Sequence, residues 1–283
     1  MSKIVKFSKM QATGNNFIMA DARSIELNWN ELAKNMCRYH LGIGADGLIT
    51  INKSSKADIK MRIFNSDGSE AQISGNGLRC FAKYVIDYKI IKGPDISVET
   101  LAGTKLIQAV LTSGRVNQAR VNMGQPSLKA REIPVSLDIK EPILDYPLKI
   151  ADRKLKLAFV SMGNPHAVCF MEEDIERFPL AEIGPLVEHN ALFPERTNFE
   201  IVNIVDNKKL KARVWERGVG ETLSCGSGAS ATAVASRLKG VIGDRVDIML
   251  PGGVLSLSWD GTTDVFLTGP VEEVFTGEYI LWT

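Results

Sequence analysis

Two stretches of the 283-residue chain decide its architecture: RIFNSDGSEAQISGNGLRCFAKYV over residues 62–85 and RVWERGVGETLSCGSGASATAVAS over residues 213–236. They align without a gap at an offset of 151 residues (213 − 62). Arg62 meets Arg213, Phe64 meets Trp215, Glu70 meets Glu221, and Gly75 and Gly77 meet Gly226 and Gly228. Further pairs sit near the same offset: TGNNF around Gly14 with MGNPH around Gly163, TLAGTKL with LPGGVLS, and VNMGQP with FLTGPV. Single glycine matches are what any two sets of turns share, whereas matched segments in one order indicate duplication.

Each half therefore carries one plan. Alternating and β-branched runs predict strands at IVKFSK, FIMAD, GLITI, IKMRIF, ISVET, KLIQAVL and VNQARVNM in the first half. The second half gives KLKLAFVSM, FEIVNIVD, KARVWE, VDIML, VLSLSW and VFLTG. Short connections favour antiparallel pairing. One helix follows each glycine motif. The first carries Leu78, Phe81, Ala82, Val85 and Tyr88 on one face, and the second is small-residue throughout and should be enclosed on all sides. Gly240 is placed to end it as a left-handed cap. The expectation is an α/β chain of α+β type: two pseudo-symmetric, strand-rich halves, each a mostly antiparallel sheet around a central helix. The boundaries are set at 1–126, with 271–283 returning to this half, and 127–270.

Bulk properties narrow the function. Lys plus Arg (34) balances Asp plus Glu (33), which gives no electrostatic ground for a nucleic-acid or anionic-membrane partner. The N-terminal MSKIVKFSKM lacks an apolar export segment, so a cytoplasmic protein is expected. Cys37, Cys80, Cys169 and Cys225 show no metal-ligand spacing, and no structural zinc site is expected.

The chemistry concentrates at the two helix starts. Free N–H groups and the helix dipole make such a terminus an anion receptor, and glycines allow close approach. Ser74 is by type a good N-cap and needs no chemistry to explain it. Cysteine is not a preferred cap, so Cys225 is read as catalytic, with the helix start expected to lower its thiol pKa. Asn65 and Glu216 occupy equivalent places before the two starts, and Arg217 could fork onto a carboxylate. His166 follows Pro165 and has a turn as its plain explanation. Asn15, Asn164 and Asn198 are also what turns use.

With GNNF, GIGADG, FNSDGSEAQISGNGLRC, GNPHAV, ERTN and ERGVGETLSCGSGA in order along nearly the whole chain, the sequence strongly resembles diaminopimelate epimerases. The resemblance implies interconversion of L,L- and meso-diaminopimelate without pyridoxal phosphate or metal, and a homodimer. It implies two cysteines, one abstracting the α-proton and the other delivering one to the opposite face. Cys225 matches one of them. Gly75, Asn76, Gly226 and Ser227 match the backbone cradle for the reacting carboxylate. Asn15, Asn65, Asn164, Asn198, Glu216 and Arg217 match substrate-binding positions, and His166 and Glu216 match the polar pair associated with tuning the thiols.

The chain departs from the family pattern in three places. Ser74 stands where the second cysteine is implied, and an unaided hydroxyl is a poor base at neutral pH. Cys80 cannot replace it, lying six residues and ~9 Å along the helix. Gly47 stands where some members carry a substrate-binding glutamine, and Asn16 replaces the aspartate of GNDF. Two explanations fit Ser74: a change introduced to stop turnover, or a native residue, either donating a proton through water or a neighbour or serving a changed substrate. The competing functions are a racemase of a single amino acid on the same fold, a cysteine hydrolase or transferase using Cys225 with His166, and a non-catalytic amino-acid or phosphate binder. A covalent acyl adduct marks the hydrolase, and tight binding without α-proton exchange marks the binder.

Overall fold

The computed structural model describes residues 3–137 and 139–281. The chain divides into two compact units, Met1–Asn122 with Thr268–Thr283, and Met123–Leu267. In the first, strand Lys3–Ala12 pairs antiparallel with Asn15–Asp21 on one side and with the C-terminal strand Glu272–Leu281 on the other. Asn15–Asp21 then runs parallel to Gly47–Asn52, which is antiparallel to Ile59–Asn65. Strands Asp95–Thr100, Gly103–Thr112 and Arg115–Gly124 follow as an antiparallel meander.

The second unit repeats the scheme. Tyr146–Ile150, Arg153–Ser161 and Pro165–Phe170 are successive antiparallel neighbours. Pro165–Phe170 runs parallel to Asn198–Asp206, which is antiparallel to Lys209–Glu216. The register repeats too: Phe17 faces Gly47 in the first unit, and His166 faces Asn198 in the second. These parallel crossovers carry helices Trp29–Met36 and Leu180–Glu188, and the central helix of each unit lies in a second parallel crossover, from Ile59–Asn65 to Asp95–Thr100 and from Lys209–Glu216 to Arg245–Leu250.

Helix Gly75–Asp87 packs against strands Lys3–Ala12, Asn15–Asp21, Gly47–Asn52 and Gly103–Thr112. Helix Gly226–Leu238 is enclosed almost completely, as its composition requires: Ala229 through Ser236 are all buried, within a cluster that includes Val160, Val168, Ile248 and Leu257. Small side chains let strands close in on every face. The hydroxyls of Ser230 and Ser236 donate back to the Gly226 and Thr232 carbonyls, so neither is left unpaired. Gly240 takes φ +73° directly after the Lys239 cap.

Among the described residues, five strands and two α-helices lie outside the sequence expectation, two of the strands being the short hairpin returns Glu70–Ala71 and Gly220–Thr222. Pro165–Phe170 is hidden behind a motif that reads as a turn, and Tyr146–Ile150 and Glu272–Leu281 lack a buried alternation strong enough to mark them. Helix Trp29–Met36 is short, capped by the Asn28 side chain on the Glu31 N–H. Helix Leu180–Glu188 carries Pro185 in its interior, which breaks the sequence signal. Among the described residues no helix is long and apolar enough to cross a membrane.

Gly240→Ala tests the left-handed cap. Nothing lies within 4 Å of the added methyl, so the cost is conformational alone, about 1 kcal/mol. Urea unfolding should show a lower midpoint with an unchanged slope.

Candidate active site

Strand Lys209–Glu216 turns through a tight hairpin into Gly220–Thr222 and delivers Cys225 to the start of helix Gly226–Leu238. Cys225 has extended backbone (φ −122°, ψ 117°), and its Sγ accepts the Gly228 N–H at 3.4 Å. The thiol is thus the helix cap. Only 6% of Cys225 is exposed, and Ser227 Oγ lies 3.4 Å from its sulfur.

Two carboxylates stand close to this thiol. Glu216 accepts a short hydrogen bond from Thr222 Oγ1 and has the Cys225 thiol beside it. Burial raises Glu216 above the usual carboxylate range, against the pull of Thr222, Cys225 and His166. Glu200 comes from strand Asn198–Asp206 and is buried, 1% exposed. Its Oε1 lies 2.7 Å from His166 Nδ1, and His166 Nε2 lies 3.0 Å from Asn164 Oδ1. Asn164 Nδ2 donates to Ser227 Oγ at 3.3 Å. A continuous polar chain therefore runs from Glu200 through His166, Asn164 and Ser227 to the sulfur.

These surroundings reverse one expectation. The helix start alone was expected to lower the Cys225 thiol. Burial first, then the Glu216 and Glu200 carboxylates, push it well above its ordinary value, and the Ser227 and Gly228 hydrogen bonds only partly oppose them. These surroundings favour the protonated thiol over the thiolate.

In the first unit the same hairpin, from Ile59–Asn65 into Glu70–Ala71, leads to Ser74 and helix Gly75–Asp87. Ser74 is the N-cap, its Oγ accepting the Gly77 N–H at 3.0 Å. Arg79 is fully buried and donates to Thr13 Oγ1 and Asn76 Oδ1 and to the Gly75 and Pro270 carbonyls. No carboxylate is among those partners, and burial lowers the guanidinium to about 10. Cys80 is buried in the helix with its thiol pushed up to about 12 by desolvation, and acts as a packing residue.

The proposed binding residues fall into two groups. Asn15 and Asn76 lie together near Ser74: Asn76 Nδ2 donates to Asn15 Oδ1, and Asn15 Nδ2 to Asp46 Oδ2. Asn65 is exposed at its hairpin and donates to Ser69. Asn164, His166, Ser227, Gly226 and Glu216 gather at Cys225. Asn198 is buried, donating to the Pro165 carbonyl and accepting the Arg217 N–H, and the Arg217 guanidinium donates to the Glu195 carbonyl.

Both remaining departures find local reasons. Asn16 donates from its backbone and side chain to Asp46, so an aspartate there would set two carboxylates together. A Cβ at Gly47 would lie 2.8 Å from the Phe64 carbonyl, so this backbone leaves no room for a glutamine. Sequence reasoning missed Asp46, which orients both asparagines, and Glu200. The signal for Glu200 was a carboxylate within a mostly apolar strand, FEIVNIV, whose other polar residue is Asn203. Among the described residues no three His, Cys, Asp or Glu side chains cluster as a metal site.

The model of the family described as diaminopimelate epimerase matches residues 7–129 and 158–274. A diaminopimelate epimerase of Methanococcus maripaludis is 46% identical over 276 residues, covering 97% of this chain and 99% of the relative. Those of Acetivibrio thermocellus and Halothermothrix orenii are 46% and 43% identical at 97% and 98% coverage of this chain, and 98% of each relative. Among solved structures, a hydroxyproline epimerase from Agrobacterium vitis superposes with a TM-score of 0.70 at 15% identity, covering 98% of this chain and 93% of that one. A phenazine biosynthesis protein of the PhzF family from Bacillus anthracis gives 0.70 at 14%, covering 99% and 100%. At such identities these two structures report the fold alone.

Gly228 is held glycine by Glu200. A Cβ there meets Glu200 Oε1 at 2.7 Å, and that oxygen is fixed by His166. Gly228→Ala should destabilise by about 1–2 kcal/mol despite the better helix propensity of alanine. In a Glu200→Ala background the same change should become neutral or stabilising. A thermal-melting double-mutant cycle measures this coupling.

Proposed function

The chain belongs to the diaminopimelate epimerase family, and from that premise we propose how its residues carry the reaction and why Ser74 limits it. The reaction inverts an α-carbon of diaminopimelate, interconverting the L,L and meso forms. A planar carbanion needs one group to take the proton from one face and another to return a proton to the other. Positions 74 and 225 supply these groups.

Cys225 is the resting proton donor. The observation that carries this reading is its burial as a helix cap beside Glu216. There the thiol keeps its proton, and Glu216 accepts or returns that proton when the reaction runs the other way. The backbone N–H groups of Gly226 and Ser227, like those of Gly75 and Asn76, belong to the first turns of helices, at the positive ends of the helix dipoles. They suit a carboxylate whose charge grows as the α-proton leaves. Asn15, Asn65, Asn164, Asn198 and Arg217 bind the remaining polar groups of the substrate. His166 fixes Asn164 and acts on the thiol through Ser227.

Ser74 takes the place of the base. Its hydroxyl already serves as a cap, and an alcohol gives no useful concentration of alkoxide at neutral pH. The chain as written thus holds the donor and lacks the base, and turnover is impaired. A homodimeric cytoplasmic enzyme is part of the same proposal, supported by the family resemblance alone.

The test follows the α-proton of L,L-diaminopimelate by NMR in D₂O for the chain and for Ser74→Cys. The variant should exchange and epimerise at least ~100-fold faster than the chain. Equal, rapid turnover by both would make Ser74 a working acid–base group. A variant that gains nothing rejects the assignment of position 74.

A further inference from the structure

The 151-residue offset places Glu200 opposite Ile49 in the duplicated plan, and the strand register confirms the match: Met19 faces Ile49, and Val168 faces Glu200. The contacts match as well. A Cβ at Gly77 would meet Ile49 Cδ1, and a Cβ at Gly228 would meet Glu200 Oε1. His166 likewise corresponds to Phe17, which faces Gly47 as His166 faces Asn198. In the first unit, then, the plan is filled by Phe17 and Ile49, and the fold is complete without any polar group there.

The second unit has put a carboxylate and an imidazole into the same two buried positions. Replacing an apolar pair by a buried ionisable pair is not a route to stability, because desolvation consumes most of the attraction. Glu200 Oε2, moreover, has no hydrogen-bond partner among the described residues. The return for this cost lies along the chain of contacts Glu200–His166–Asn164–Ser227–Cys225, which ends on sulfur.

We propose that Glu200 is a positioning residue for Cys225: it fixes the His166 ring and, through Asn164 and Ser227, the seat of the thiol. Within its unit, the titratable groups facing Cys225 are Glu216 from strand Lys209–Glu216, Glu200 from Asn198–Asp206 and His166 from Pro165–Phe170. Its own helix contributes only the neutral Ser227. Glu216 is the proton partner of the thiol. Glu200 acts one step behind, on orientation and charge.

The proposal rests on Cys225 as the acid–base group, and its test uses no substrate. A failure to turn over diaminopimelate is therefore distinguishable from a failure of Glu200. The probe is iodoacetamide, with alkylation of the Cys225 peptide followed by mass spectrometry across a pH series. The proteins are the full chain, Glu200→Gln, and the double variant His166→Phe/Glu200→Ile, which imports the first unit's own pair. Cys37, Cys80 and Cys169, with thiols raised by burial to about 12, 12 and 11, serve as internal references.

Glu200→Gln should move the Cys225 profile to lower pH by up to about one unit, about three- to tenfold faster alkylation at a fixed pH on the rising limb. The double variant should melt at or above the temperature of the parent chain and show a shift of the same sign. A profile that stays in place, or moves to higher pH, in folded variants overturns the proposal. Should Glu200→Gln fail to fold, the double variant alone decides.

Discussion

One hydrogen bond recurs at the heart of each unit: the side chain at the helix cap accepts the N–H of the third residue into the helix, Ser74 from Gly77 and Cys225 from Gly228. It fixes where the cap atom lies, and the rest of each unit is arranged to present it. The hairpin sets the entry angle, glycine at 77 and 228 lets a neighbouring strand reach the helix start, and the N–H groups of the first turn give the place a positive field. A cap that must also react cannot be an ordinary one. Cysteine is a weak cap and a useful acid–base group, and under the role proposed for Cys225 chemistry overrides propensity in the second unit.

The two units share a scaffold and differ in charge. Beneath Ser74 lies a buried guanidinium, Arg79, that binds Asn76 and Thr13, with Ile49 against the helix start at Gly77. Beneath Cys225 lie Glu216, Glu200 and His166, and the position equivalent to Arg79 is Ser230, which only bonds back to its own helix. Duplication supplies two similar helix starts, and divergence of a few buried residues makes one of them hold a proton.

Much of this was legible because duplication and period are properties of the chain itself. The offset between residues 62–85 and 213–236 located both caps, and the strands with clear alternation, such as Ile59–Asn65 and Lys209–Glu216, declared themselves. The all-small run after Gly226 foretold an enclosed helix. What was not legible depends on contacts distant in sequence. Glu200 is one acid within a strand until the parallel pairing with Pro165–Phe170 sets it beside His166. The direction of the Cys225 shift was misread because the helix dipole is visible in sequence, while burial and the approach of two carboxylates are not. Asp46 likewise gains its role only when the loop over residues 37–46 brings it to Asn15 and Asn16.

The most direct measurement is the titration of Cys225 itself, by ¹³C NMR of the chain labelled at cysteine Cβ and assigned with a Cys225→Ser variant. The Cys225 resonance should keep the chemical shift of a thiol from pH ~6 through pH ~9, since burial and its two carboxylate neighbours hold the proton on sulfur. A thiolate shift already present near pH 7 would contradict this, and would make Cys225 the resting base.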